Sequence, residues 1–129
     1  MACFSAGDCE IPGFSRLTLV VNGDEVALSQ CLRQLDKLID VVEVTDLKPF
    51  ECVARELALI RVEPDETGRD AVMGLVGEFM AKTPKVTSTA ILIEIAAELS
   101  TIERFIEALR PYNIAQIVRT GTVAVKVGI

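Results

Sequence analysis

Apolar residues recur along this chain at two periods, two and three-to-four, and the alternation of those periods divides it into three segments of similar pattern. In the first, Leu17, Leu19 and Val21 alternate with Thr18 and Val20 as a strand. Asn22-Gly23-Asp24 follows as a turn and helix start, and Leu28, Cys31, Leu32, Leu35 and Leu38 then fall at spacings of three and four, one face of a helix. Val41-Val42-Glu43-Val44 reads as the strand after it, and Ala2 to Cys9 as the strand before the segment.

The second segment runs from the strand Glu56–Val62 through Pro64 into a helix opened by Thr67, with Asp70 three residues on as a capping box and Val72, Leu75, Val76 and Phe79 as its apolar stripe. Pro84 is expected to close it. The third places Ile91, Ile93 and Ile95 on one strand face, then Ser100 with Glu103 as a second capping box, and Ile102, Phe105, Ile106 and Leu109 as a buried stripe. Pro111 stops that helix, and Ile114 to Val118 is a strand.

Shifting the first segment by 74 positions superposes Leu28 on Ile102, Cys31 on Phe105, Leu32 on Ile106 and Leu35 on Leu109, an internal repeat. The pattern is α+β: tandem ferredoxin-like units, a C-terminal one that is complete (β-α-β-β-α-β) and an N-terminal one that is incomplete (β-β-α-β). The division expected is residues 1–48 and 53–129, with Asp46-Leu47-Lys48-Pro49-Phe50 as linker. In such a unit the sheet order is 4-1-3-2, and the first strand pairs with both the third and the fourth. Without it two rows of backbone donors and acceptors lack their usual partner. The N-terminal half is therefore expected to rearrange or to borrow a strand from another protomer.

Composition narrows the function. With 13 Lys plus Arg against 19 Asp plus Glu, a formal charge of -6, the average field repels phosphate backbones and anionic lipid, so neither nucleic acid nor membrane is an expected partner. No apolar run approaches the ~20 residues of a membrane span, and the start has no basic n-region, which points to the cytoplasm. There is no histidine, and histidine is the side chain most used for proton transfer near neutral pH. Cys3, Cys9, Cys31 and Cys52 form no C-x-x-C pair and read as reduced thiols, with no metal site.

Remaining candidates have plain structural readings. Gly74-Leu75-Val76-Gly77 resembles an RNA-binding G-x-x-G clamp but has apolar flanks, so close helix-to-sheet packing is expected. Glu63, Asp65, Glu66 and Asp70 crowd a turn without calcium-loop spacing, and read as acids at a helix start. Glu103 and Glu107 share a charged helix face with Arg104 and Arg110. Arg119-Thr120-Gly121-Thr122, between apolar runs, reads as a turn or bulge with a surface arginine that could hold an anion such as a carboxylate. No phosphate loop and no G-x-S-x-G elbow occurs, so no catalytic residue is assigned.

The stretches Ser15–Val21, Gln34–Val42, Arg55–Ile60 and Arg119-Thr120-Gly121 resemble, in order and spacing, the regulatory small subunit of acetohydroxyacid synthase (acetolactate synthase). That resemblance implies an N-terminal ACT domain, a C-terminal ferredoxin-like domain, and a non-catalytic protein that forms a homodimer or higher oligomer. It implies as partner the large catalytic subunit, which makes precursors of valine and isoleucine and to which the cofactors thiamine diphosphate, Mg and FAD would belong. The family's effector site, an amino-acid site, is built from segments that would precede Met1, so no effector-binding residue is assigned. Arg55, Arg69 and Arg119 are candidates for partner or anion contacts. The alternative is a stand-alone oligomeric module that binds a small molecule without a synthase partner.

Overall fold

The computed structural model describes residues 3–20, 25–38, 40–48 and 51–128, and every side chain within them except those of Cys3, Glu25, Leu35 and Asp36. The expected turn at Asn22-Gly23-Asp24, the Leu35 contact and the Pro49-Phe50 part of the linker lie outside the described residues. Contacts divide the chain into two units, Met1–Ala54 with Val123–Ile129, and Arg55–Thr122.

In the second unit the elements run β3 (Cys52–Val62), α2 (Arg69–Glu78), β4 (Lys82–Val86), β5 (Ile91–Ala97), α3 (Leu99–Leu109) and β6 (Ile114–Lys126), the outer ends of β3 and β6 counting with the first unit. The first unit also holds β1 (Cys3–Asp8), β2 (Ser15–Val20) and α1 (Glu25–Asp36). The large sheet has the order β4-β5-β3-β6, which is the expected 4-1-3-2 read from its other edge. The fold class is the α+β one that the alternating periods predict.

Period-two burial builds this sheet. Ala58, Ile60 and Val62 of β3 and Ile91, Ile93 and Ile95 of β5 are all buried, with Ile60 opposite Ile93 and Ala58 opposite Ile95. Against that face lie Val72 and Val76 of α2 and the full predicted stripe of α3, Ile102, Phe105, Ile106 and Leu109. Each large side chain so covered contributes about 1.5–3 kcal/mol. Phe79 and Phe105 meet with ring centroids 4.9 Å apart, tilted by 43°, a favoured aromatic geometry.

The helix ends correct the sequence reading. The Thr67 hydroxyl donates to the Asp65 carboxylate at 2.8 Å instead of capping the helix, and the Gly68 amide donates to the same oxygen at 2.8 Å. Gly68 is thereby the N-cap, with no side-chain cap bond. A Cβ there would meet Tyr112 Cδ1 at 3.1 Å and Pro64 Cβ at 3.3 Å, so the position favours glycine for want of space. At the far end Met80 takes φ 55°, and the Ala81 amide bonds the Val76 carbonyl at 2.9 Å, the pattern that closes a helix through a left-handed residue. The helix stops there, at Glu78, and Pro84 has no part in it. Pro84 lies in edge strand β4, where the register against β5 shifts between Lys82 and Lys85, a place a residue without an amide donor tolerates. Helix α3 begins one residue before Ser100 with Glu98 as N-cap, so the Ser100–Glu103 box is not formed either. Its end follows expectation: Arg110–Tyr112 tightens to a 3-10 turn around Pro111, and Asn113 at φ 66° turns the chain into β6.

In the first unit β1 and β2 pair antiparallel over six residue pairs, Cys3 with Val20 through Asp8 with Ser15. Phe4, Ala6, Leu17 and Leu19 share one face of this hairpin and Ser5, Gly7, Arg16 and Thr18 the other. Leu28, Cys31 and Leu32 of α1 are half-buried as their spacing predicts, whereas Leu38 lies beyond the helix and is exposed. The predicted strand Val41–Val44 does not form. A strand exists by its ladder, and the strand it would pair with in the 4-1-3-2 order is not among the described residues. No described residue of this unit is buried, and Phe4 and Leu17 are each 55% exposed.

Candidate functional site

Of the sequence candidates Arg119 has the most constrained surroundings. It does not stand on a turn, because β6 runs unbroken from Ile114 to Lys126. Gly121 within the strand takes φ 82°, and beside it the Thr120 hydroxyl accepts the Leu57 amide bond at 3.1 Å. Arg119 reaches across to β3, donating Nε to Glu56 Oε1 at 2.7 Å and a terminal nitrogen to Oε2 at 3.0 Å. Glu56 is 4% exposed, the one buried charged residue among those described. The guanidinium thus already holds a carboxylate bidentately, and that carboxylate is the protein's own.

The other two arginines are also engaged. Arg69, at the first position of α2, donates to the Thr87 carbonyl at 2.9 Å and the Ser88 carbonyl at 3.3 Å, tying the helix to the β4–β5 turn. That turn is closed by the Thr87 side chain, which accepts the Ala90 amide at 3.0 Å. Arg55 stands 3.7 Å from Glu98 with half its side chain exposed. The structure does not gather the three arginines through any bond between them; each is placed by its own partner.

Two acids of the turn, Glu63 and Asp65, have partners of their own. Glu63 accepts from Arg61 at 2.8 Å, and Asp65 takes the two bonds described above. Those bonds hold the Asp65 carboxyl below its usual value, the Thr67 hydroxyl contributing most and the Gly68 amide next. Glu107 pairs with Arg110 at 2.9 Å on the exposed face of α3, as expected. Among the described residues no group of three His, Cys, Asp or Glu side chains is placed to hold a metal ion. Cys9, Cys31 and Cys52 are free thiols.

Gly74 and Gly77 depart from expectation. A Cβ added at either would meet nothing within 4 Å, and both lie on the exposed side of α2 beside Met73. They serve no close packing inside the unit.

Sequence inspection passed over Arg16. It stands in a shallow hollow of the first unit with Ser5, Gly7, Asp8 and Thr18, and binds Glu10 through two bonds of 2.8 and 3.3 Å. The Glu10 hydrogen bond raises the Arg16 pKa most and the Glu10 charge next, with smaller contributions from the charges of Cys9 and Glu43. The Glu10 carboxyl is lowered in turn, chiefly by the same hydrogen bond. The i, i+6 spacing across a six-residue hairpin loop was the available signal.

Residues 55–128 match the family model described as the small subunit of acetolactate synthase. Over 125 residues the chain is 35% identical to the probable acetolactate synthase small subunit of Methanothermobacter thermautotrophicus, covering 96% of this chain and 74% of that one. The chain belongs to the acetolactate synthase small-subunit family. The small subunit of Bacillus subtilis is 40% identical over 121 residues, 93% of this chain and 70% of that protein. The crystal structure of the acetolactate synthase small subunit from Thermotoga maritima superposes with a TM-score of 0.90 at 37% identity, covering 99% of this chain and 80% of that one. The stretches Ser15–Val21 and Gln34–Val42 lie outside the family model's range and are carried by these longer matches.

Proposed function

We propose that this chain is a non-catalytic regulatory subunit that binds and activates the thiamine-diphosphate-dependent catalytic subunit of acetolactate synthase. The reading is carried by one observation: 99% of the chain superposes on a solved small subunit at 37% identity. The same kinship weighs against a stand-alone small-molecule module, since every relative named above is a small subunit of that synthase. Thiamine diphosphate, Mg and FAD then belong to the partner, the chain works in the cytoplasm beside it, and a homodimer or higher assembly presents it. No helix of the described residues is long and apolar enough to cross a membrane, in keeping with that placement.

The mechanism is linkage. A subunit that contributes no reacting group raises the partner's rate only if it binds the active arrangement of the partner's site more tightly than the inactive one. The differential binding energy sets the ceiling: a tenfold activation needs about 1.4 kcal/mol. The test is the acetolactate-forming rate of the cognate catalytic subunit with and without this chain, titrated with valine, leucine and isoleucine. Saturable stimulation supports the reading, and inhibition by one of the amino acids adds an effector site to it. No stimulation and no complex refutes it.

A further inference from the structure

Three residues on the outer side of α2 are locally unfavourable, and the fold of the second unit makes no use of them. Gly74 and Gly77 sit inside the helix, where glycine is the poorest former after proline, and a Cβ at either would meet nothing within 4 Å. Glu78 ends the helix, where a carboxylate opposes the helix dipole, and no basic residue in the last turn offsets it. Asp70, Gly74 and Glu78 follow at i, i+4 and i+8, with Gly77 at i+7, so all four share one side of the helix. All four are exposed. Neither Asp70 nor Glu78 has an ion-pair partner among the described residues. Met73, one turn before Gly77, is 42% exposed, and Met80, past the helix end, is 88% exposed. Local choices that work against their own element collect at functional sites.

We infer that a helix of the catalytic subunit docks on α2, with its apolar side over Met73, Gly74 and Gly77 and a Lys or Arg at each end reaching Asp70 and Glu78; the inference rests on the proposed function. Without side chains at positions 74 and 77 two helix backbones can approach closely, and a carboxylate stands at either end of that contact. The rise of the helix from Asp70 to Glu78 is about 12 Å, which sets the spacing required of the incoming cations. Charge decides against a second copy of the chain. Laid along α2 in either direction, a second α2 sets carboxylate beside carboxylate, whereas a helix with basic ends meets the opposite charge at both. The formal charge of -6 favours the approach of such a partner over that of another copy. Met73 and Met80, long and unbranched, can adapt to the side chains that arrive.

Calorimetric titration of the full chain with the cognate catalytic subunit, paired with urea unfolding of the chain alone, tests this. Gly74→Ala and Gly77→Ala should each weaken binding about tenfold, because a methyl group enters a close backbone contact, while raising the urea midpoint of the free chain. Glu78→Lys should also weaken binding about tenfold by reversing the charge at one end, and should leave the free chain at least as stable, since a cation suits the last turn. Affinity of the parent chain should fall as salt rises from about 50 to 300 mM, and fall less for Glu78→Gln. Affinity and stability moving in opposite directions is the signature, because a residue that only holds the fold moves both the same way. Unchanged affinity in the glycine variants or in Glu78→Lys overturns the inference and leaves the partnership standing. Absence of any complex with the parent chain overturns both. Self-association of the chain alone that the same variants abolish would mean that a second copy covers α2, which also overturns the inference.

Discussion

Replacing Arg119 by alanine should cost the second unit much of its stability, although the residue stands on an edge strand. Its guanidinium holds a carboxylate, Glu56, that is 4% exposed, through bonds of 2.7 and 3.0 Å. Without it the Glu56 carboxylate is left buried with no charged partner. Breaking a buried pair from one side costs about 3–5 kcal/mol. Arg119 itself is a third exposed, so water partly fills the gap, and about 3 kcal/mol is the fitting end of that range. For a unit of this size that lowers the melting temperature by roughly 12–24 °C and the urea midpoint by about 2 M. The assay is urea unfolding followed by the fluorescence of Tyr112, the single tyrosine of a chain without tryptophan. The double replacement Glu56→Leu with Arg119→Met should recover most of the loss, because a buried ion pair and a packed apolar pair of similar volume differ little. A midpoint shift under about 0.5 M for Arg119→Ala, or a double variant as weak as the single, would refute the reasoning. The first result would return Arg119 to the role of an outward anion contact.

Three further outcomes follow from the geometry of the second unit. Met80→Gly should stabilise by about 1 kcal/mol, because Met80 holds a left-handed conformation while 88% exposed, and the same urea titration reads it. Gly74→Ala and Gly77→Ala should each stabilise by roughly 0.8–1 kcal/mol, since a Cβ at either meets nothing within 4 Å; destabilisation of the isolated chain would show an internal packing role. Asp65→Asn should flatten the acid limb of stability. The Asp65 pKa is depressed in the folded state, so its contribution is present above the unfolded value of about 3.9 and is lost as pH falls through the folded one. Urea midpoints compared between about pH 6 and 2 check the sign.

Legibility of this chain followed the range of the interactions. The α3 stripe of Ile102, Phe105, Ile106 and Leu109 is a local pattern, and all four are buried. The helix ends were misread because a capping-box spacing at Thr67–Asp70 does not show that Asp65 has already captured the Thr67 hydroxyl that the box would use, together with the Gly68 amide next to it. Arg119 was recognisable as a carboxylate ligand from its neighbours, but its ligand, Glu56, is 63 residues away and nothing local announces it. The glycines of α2 were assigned to close packing on spacing alone, and only the structure shows on which side of the helix they fall.

The same distinction separates the two units. Both carry strand, helix and strand patterns of similar strength, yet the buried core draws on the second alone among the described residues. Ordering a residue's backbone costs about 1–2 kcal/mol, and burial is the main term that offsets it. A hairpin of six pairs with one helix, half of whose apolar face stays exposed, offsets little of that cost. If binding of the catalytic subunit orders this unit further, part of the gross binding energy goes into that ordering, and substitutions that weaken the hairpin, such as Leu17→Ala, should lower affinity for the catalytic subunit. Core substitutions in the second unit, such as Leu109→Ala, should instead lower stability and leave the intrinsic affinity of the folded chain unchanged. Affinity and urea midpoint measured on both variants would separate the two behaviours, and equal effects on both quantities for both variants would refute a division of labour between the units.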